Sequence, residues 1–275
     1  RSRPVGWSLG SGTPHTSPRN PKLIVNPRIF LAIIVAVLSA HPWISADERP
    51  PNILFILADD MGWQDTSVPF ADETTDWNRF FETPALERLA SEGMKYTQAY
   101  SNAVCSPTRV SLLTGINQLR HRVTQWTYLS GDQSTSDLDH PNLIIPEWNW
   151  NGLQPEPGMR HAFHAPTLPE LLRAEGYRTL HFGKGHLGAR GTPGADPKAF
   201  GYDVRVGGRD AGGPGSYSGL KNFAANGDLS LPWRAWDVDE WFGQDIHLTE
   251  VLTIEAMKHI RKAVDDEVPF FCMMA

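Results

Sequence analysis

The stretch NILFILADD at residues 52–60 decides the fold class of this chain of 275 residues. Every residue from Ile53 to Ala58 is apolar, without the alternation of a half-exposed strand, and two carboxylates follow directly. Such a run is typical of a strand buried on both faces of a mostly parallel sheet. Because parallel strands are usually joined through helices, we predict an α/β fold with helices flanking a central sheet.

The rest of the sequence repeats the alternation of helices and strands that this fold requires. Thr83 and Thr167 each precede a proline and an apolar helical pattern, so both are predicted helix starts. A longer helix is predicted over about 248–263, with Leu252, Met257 and Ile260 facing inward. Further strands are predicted at 94–99, 177–183 and 269–275. The region 116–165 contains no convincing element, and loops of this length are usually functional or inserted.

The first 46 residues have the composition of a leader rather than of a folded domain. An arginine followed by an apolar run and small residues gives residues 28–46 the pattern of a secretory signal. The apolar run is shorter than the roughly 20 residues of a membrane span. We therefore predict a non-structural leader at 1–27, a signal peptide at 28–46, a periplasmic or secreted protein, and no stable membrane insertion.

Charge and cysteine content exclude two broad classes of protein. The formal net charge is −6, from 25 basic and 31 acidic residues, which argues against a nucleic-acid partner. Only Cys105 and Cys272 occur, so the chain has no disulfide framework. Cys272 lies in an apolar run and is predicted to be a buried core thiol.

Three groups of reactive side chains lie where an α/β sheet forms its sites, beyond the carboxyl ends of strands. Asp59 and Asp60 close the first strand, and two carboxylates suit Ca²⁺ or Mg²⁺. Lys184 and His186 follow another predicted strand, and Cys105 opens a helix, where anions are favoured. Each feature has a plainer interpretation: turn residues, a solvated loop and an inert thiol. Their convergence favours one site.

Two motifs carry a family resemblance. The run CSPTRVSLLTG at residues 105–115 resembles the sulfatase signature, in which Cys or Ser is followed by any residue, proline, Ser or Thr, arginine and a Leu-Thr-Gly ending. The run GKGHLG at 183–188 resembles the Gly-Lys-Trp-His-Leu-Gly of the same family, except that Gly185 replaces the tryptophan. The resemblance extends over about residues 51–275 and implies the alkaline-phosphatase-like fold of the formylglycine-dependent, arylsulfatase-like enzymes.

The resemblance implies a covalent mechanism of sulfate-ester hydrolysis. Cys105 would be oxidised to formylglycine by a maturation enzyme, and the hydrated aldehyde would attack sulfur and displace the alcohol. Arg109 would stabilise the hydrated aldehyde, Lys184 would bind a sulfate oxygen, and His186 would hydrogen-bond the formylglycine hydroxyl. One Ca²⁺, in preference to Mg²⁺, would be held by Asp59, Asp60 and the modified Cys105.

In family terms the matching part is the N-terminal portion of a catalytic domain. Later Asp-Asn metal ligands, a second lysine and a second histidine would lie beyond Ala275. We therefore expect residues 47–275 to be an incomplete domain that is inactive alone, cut before its C-terminal part. The expected substrate of the whole protein is a sulfated small molecule or polysaccharide.

Two alternatives remain open at this stage. The same nucleophile serves phosphodiesterases and phosphonate hydrolases of the superfamily. A catalytically dead, sulfatase-like protein could also retain carbohydrate binding. Five tryptophans could form a rim that stacks on sugar, although packing in the core or in loops is the better explanation for most of them; these are Trp148, Trp150, Trp233, Trp236 and Trp241.

Overall fold

A parallel sheet of four strands organises the chain in a computed structural model, which describes residues 49–128, 141–142 and 147–275. The strand order is β1-β4-β2-β3, and all three pairings are parallel. The predicted α/β class with a central parallel sheet is therefore confirmed. The strands are β1 (Ile53–Ile56), β2 (Arg178–Gly183), β3 (Val204–Gly207) and β4 (Phe270–Met274).

Six α-helices lie among the described residues, together with five short 3₁₀ helices between residues 193 and 241. The predicted helix starts are correct, and the second of them has a capping box formed by Thr167 and Glu170. The helices are α1 (Asp76–Phe80), α2 (Pro84–Glu92), α3 (Cys105–Thr114), α4 (Gln118–His121), α5 (Leu168–Ala174) and α6 (Leu248–Asp265).

The segments at 1–27 and 28–46, predicted to be a leader and a signal peptide, lie outside the described residues. Residues from Arg49 onward form one unit. Within the part of the chain that the structure describes, no helix combines the length and the apolar character needed to cross a membrane.

Strand β4 separates the two halves of the hydrophobic core. Phe270 and Cys272 face a cluster that includes α6, whereas Phe271 and Met273 face a second cluster that includes residues of α3. Both faces of β4 are thus covered, as expected of an interior strand in a parallel sheet. Cys272 is fully buried, and burial raises the pKa of its thiol to about 12. The predicted core thiol is confirmed.

Strand β1 differs from the prediction, because only one of its faces is buried. Ile53 and Phe55 pack against the second core cluster, but Leu54 and Ile56 are 53% and 67% exposed. The reason is position: β1 ends the sheet, and α6 packs on the other three strands. An uninterrupted apolar run does not reveal whether its strand is interior or at the edge.

Two smaller predictions are wrong. Residues 94–99 are irregular rather than a strand, and Met94 and Tyr96 are more than two-thirds exposed. They pair with no strand of the sheet, and an extended segment without a ladder partner has nothing to satisfy its backbone groups. Met257 lies on the solvent side of α6 and is 44% exposed, whereas Leu252 and Ile260 pack against the core as predicted.

The buried His181 of β2 gives the fold a pH dependence. Its ring is fully buried and meets the edge of Tyr202 at 5.0 Å between ring centroids. Burial is the main reason that its pKa falls to about 3, and the charges of Arg109 and Arg205 add to this effect. The unfolded chain, with the ordinary histidine pKa, binds the proton at higher pH than the folded protein does. Stability therefore falls as pH falls from about 6.5 towards 3.

We predict that His181→Leu flattens this pH dependence. The substitution removes one group that takes up a proton in the unfolded state only. The slope of the free energy of unfolding against pH should therefore decrease by about 1.4 kcal/mol per pH unit between roughly pH 4 and pH 6. Urea unfolding across that range, followed for the parent protein and the variant, measures the two slopes of the free energy of unfolding against pH. Equal slopes would contradict a neutral, buried His181.

Candidate active site

The ends of β1 and β2 bring a carboxylate and an ammonium group together. Asp59 follows β1 and Lys184 follows β2, and both leave the sheet beside the end of β4. The Lys184 Nζ atom donates a hydrogen bond to Asp59 Oδ2. The pair lies at the carboxyl edge of a parallel sheet, the region in which sites of α/β proteins form.

Arg109 connects this pair to α3. Its side chain is 1% exposed; Nη1 donates to the Lys184 carbonyl oxygen at 2.6 Å, and Nη2 approaches Asp59 Oδ1 at 3.4 Å. A guanidinium group offers several donors in a rigid plane, so one side chain can serve both partners. The three residues Asp59, Arg109 and Lys184 therefore form an ionic cluster from three separate segments, of which only Arg109 is fully buried.

The ionisation of the cluster follows from its contacts. Partial burial raises the pKa of Asp59, but the hydrogen bond from Lys184 and the charges of Arg109 and Lys184 outweigh it and hold the pKa below 3.8. Burial lowers the pKa of Arg109, and the charge of Asp59 opposes that effect. Asp59 is accordingly a carboxylate at neutral pH, bracketed by two cationic side chains.

Cys105 is the first residue of α3 and lies one helical turn before Arg109. It is half-buried, and the N-cap residue Val104 makes no side-chain hydrogen bond to the first turn. The thiol is close enough for its charged form to raise the pKa of Arg109. A helix N-terminus without a capping side chain leaves N–H groups available to an anion beside Cys105.

His186 has one ring nitrogen engaged and one available. Its Nε2–H donates to the Thr127 carbonyl oxygen at 2.9 Å, and no donor among the described residues reaches the buried Nδ1. Burial is the main reason that the pKa of His186 falls to about 4, and the charge of Lys184 adds to it. The ring is therefore neutral at physiological pH, and its Nδ1 lone pair can accept a hydrogen bond.

Thr127 and Ser106 link His186 to α3, and sequence reasoning missed both. The Thr127 N–H donates to Ser106 Oγ at 3.2 Å, while the Thr127 carbonyl binds His186. Ser106 and Thr127 are completely buried. Thr127 lies in the region 116–165, which has no periodic pattern, and no local signal in the sequence identifies its role.

The glycine-rich segment 207–213 supports the loop that carries Lys184 and His186. The His186 N–H donates to the Arg209 carbonyl at 2.6 Å, and the Gly208 N–H donates to the Gly183 carbonyl at 2.7 Å. At Gly185 an added Cβ would lie 2.6 Å from the Arg209 oxygen. There is thus no room for the family's tryptophan at position 185, and backbone contacts hold the loop instead.

Asp60 is the predicted site residue that the structure leaves apart. It is exposed, has a left-handed backbone with φ of 58°, and makes no hydrogen bond or ion pair to any described residue. Asp59 and Asp60 offer the hard oxygen ligands that calcium prefers, but calcium takes six to eight of them. Among the described residues, no group of three or more histidine, cysteine or acidic side chains could hold a metal. The donor set fits calcium in kind and is incomplete in number.

The predicted tryptophan rim divides into two groups. Trp148 and Trp150 are buried and pack edge to face with each other, so they belong to the interior. Trp233 is 36% exposed and stacks on Tyr128 at 5.3 Å between ring centroids. Trp236 lies under two guanidinium groups, those of Arg209 and Arg234.

Comparison with known proteins identifies the kind of protein that shares these features. The model of the sulfatase family matches residues 51–275. N-acetylgalactosamine-6-sulfatase of Mus musculus is 32% identical over 253 residues, which are 88% of this chain and 42% of that protein. Arylsulfatase G of Mus musculus is 37% identical over 153 residues, which are 55% of this chain and 23% of that protein. The chain thus spans less than half the length of these curated relatives.

The fold is shared with a solved structure as well. The crystal structure of Ps i-CgsB matches with a TM-score of 0.55 and 23% sequence identity, over 82% of this chain and 45% of that chain. At this level of identity the match concerns the fold alone. It agrees with the alkaline-phosphatase-like arrangement expected from the sequence motifs.

We predict that Gly185→Ala destabilises the loop of Lys184 and His186. The new Cβ would lie 2.6 Å from the Arg209 carbonyl oxygen and 2.7 Å from Pro197, so backbone must move, at a cost of about 1–3 kcal/mol. Gly213→Ala is the matched control, because its Cβ would meet only Tyr217 Oη at 3.8 Å. Thermal unfolding of both variants measures the difference. Equal midpoints would contradict the tight contact at Gly185.

Proposed function

Because this chain belongs to the sulfatase family, we propose that its protein hydrolyses sulfate esters through Cys105, converted to formylglycine. The observation that carries the proposal is the ionic cluster beside Cys105. Two cationic side chains, the buried Arg109 and the partly buried Lys184, converge on Asp59 near a helix N-terminus that has no capping side chain. Both features favour an anionic group such as the sulfate of a sulfate ester.

The side chains of the chain take separate roles in the proposed reaction. Formylglycine at position 105, in its hydrated form, supplies a hydroxyl nucleophile and makes catalysis covalent. Arg109 stabilises the negative charge that develops on that group, because it lies one turn along the same helix. Lys184 binds a sulfate oxygen. His186 accepts a hydrogen bond from the hydroxyl at Nδ1, which carries no proton because the Thr127 carbonyl holds the proton on Nε2.

We propose a calcium ion as the metal, with Asp59 and Asp60 among its ligands and Cys105 contributing in its modified form. The carboxylate pair at the end of β1 supports calcium over softer metals. Bound calcium would offset negative charge on the sulfate. Asp59 also orients Lys184 and Arg109, so the residue has a positioning role that does not require the metal.

A sulfated carbohydrate is the substrate class that we propose, since a relative over most of this chain is named N-acetylgalactosamine-6-sulfatase. A formylglycine-generating enzyme is the proposed maturation partner, and export to the periplasm or the exterior is the proposed location. The expectation that the chain is inactive by itself stays a prediction.

We predict that Cys105 loses its thiol when the protein is produced together with a formylglycine-generating enzyme. Mass spectrometry of the peptide that contains position 105 should detect the aldehyde, and Cys272, buried in β4, should remain a thiol as an internal control. Hydrolysis of an aryl sulfate by the whole protein should then fall to background in Cys105→Ala. An unmodified Cys105 under these conditions would overturn the enzymatic proposal. Faster hydrolysis of an aryl phosphodiester than of the sulfate would favour the related phosphodiesterases.

A further inference from the structure

A cavity of about 470 Å³ begins at the ionic cluster and extends away from it. Asp59 and Lys184 line one part of it, and the glycine-rich segment 207–213 lines another. Arg209 and Arg234 also contribute to its wall, together with Tyr217 and apolar residues of α6. The volume is in the range that holds a small organic ligand such as a sugar unit.

The cavity has an excess of positive charge. Among the described residues, its lining contains three cations, Lys184, Arg209 and Arg234, and one carboxylate, that of Asp59. The charge of Asp59 is already matched by Lys184 and by the buried Arg109. The whole chain has a net charge of −6. The positive charge at the cavity is therefore a local feature, opposite in sign to the charge of the chain as a whole.

The guanidinium of Arg234 is the cation that the fold does not neutralise. Within the described ranges it makes no ion pair or hydrogen bond, and its contact is with the ring of Trp236, 3.8 Å from the ring centroid. Other arginines of this region are paired: Arg190 binds Asp210 at 2.7 Å, and Arg205 binds Asp237 at 2.7 Å. Arg234 thus differs from these arginines, because it has no carboxylate partner among the described residues.

Arg209 adds a second, partly compensated charge to the same ring. Its guanidinium lies 4.8 Å from the Trp236 centroid, and its Nε reaches Asp196 at 3.5 Å. Asp196 also receives the shorter 3.1 Å ion pair from Arg205, so one carboxylate is divided between two arginines. Trp236 holds both guanidinium groups at the cavity by contact with its ring, which is a favourable site for a cation.

We propose that Arg209, Arg234 and Trp236 form a second anion-binding subsite, which takes a further sulfate group of the same carbohydrate. The inference rests on the proposed function, since the first sulfate is the one placed at Cys105, Arg109 and Lys184. Guanidinium groups bind sulfate through paired hydrogen bonds. Lys184 belongs to the first site and also lines the cavity, so one sugar that is bound at Lys184 can extend to Arg209 and Arg234. The subsite makes the protein selective for carbohydrates with two or more sulfates.

Binding to the whole protein with Cys105→Ala, which prevents turnover, tests the subsite. Isothermal titration calorimetry compares N-acetylgalactosamine with one sulfate and the same sugar with two. We expect the disulfated sugar to bind roughly tenfold more tightly or better, and Arg234→Gln to remove most of that preference while binding of the monosulfated sugar stays unchanged. Arg261→Gln is the matched control, because Arg261 is an exposed residue of α6 outside the cavity and its loss alters net charge equally.

The outcomes separate the subsite from the catalytic proposal. A preference that survives Arg234→Gln, or one that Arg261→Gln reduces to the same extent, overturns the subsite and leaves the proposed sulfatase site intact. Failure of the parent protein to bind either sugar counts against the subsite and against the proposed substrate class together. Arg234→Lys, which retains the charge, should keep an intermediate preference and excludes a general loss of folding as the cause.

Discussion

The contact on which the site depends is that of the buried Arg109 guanidinium with the Lys184 carbonyl and the Asp59 carboxylate. It joins α3 to the ends of β1 and β2, which are separated by more than a hundred residues of sequence. Removing a charged group of this kind from water is costly unless its donors are satisfied and its charge is matched. Asp59 matches the charge, and Asp59 and the Lys184 carbonyl engage the two terminal nitrogens, whereas the buried Nε has no hydrogen-bond partner among the described residues. The same contact fixes α3, which begins at Cys105, against the segment of Lys184.

A second connection, made only of neutral groups, positions the histidine. Ser106, Thr127 and His186 are buried, and hydrogen bonds join Ser106 to Thr127 and Thr127 to His186, so the start of α3 is connected to the loop after β2 a second time. Backbone hydrogen bonds with the glycine-rich segment 207–213 also hold this loop in place. Space left by the absent side chain of Gly185 is filled by the Arg209 carbonyl and Pro197. Departure from the family motif is thus compensated by packing, and the spacing of Lys184 and His186 is retained.

The two arginines at Trp236 extend this arrangement into the adjoining cavity. Arg209 contributes through two separate groups. Its backbone carbonyl accepts a hydrogen bond from the His186 N–H, and its guanidinium lies over the Trp236 ring. A residue of this kind couples the geometry of the catalytic loop to the charge of the neighbouring cavity. The acidic composition of the chain gave no hint of that cationic cavity, because net charge averages over surfaces that never meet the ligand.

The sequence by itself determined the fold class and the family, and it predicted one site from Asp59, Cys105, Arg109, Lys184 and His186, of which the structure joins Asp59, Arg109 and Lys184. These features are local in the chain. Apolar runs, helix caps and motif spacing act within a few residues, and parallel strands place their carboxyl ends together whatever the loops do. Tertiary structure alone decided that Leu54 and Ile56 are exposed and that Thr127 holds His186. It also decided that, among the described residues, Asp60 and Arg234 have no ion-pair partner. Each of these features depends on which distant segments pack together. A local sequence pattern does not show whether a strand lies at the edge of its sheet, or which side chain will bind a given backbone carbonyl.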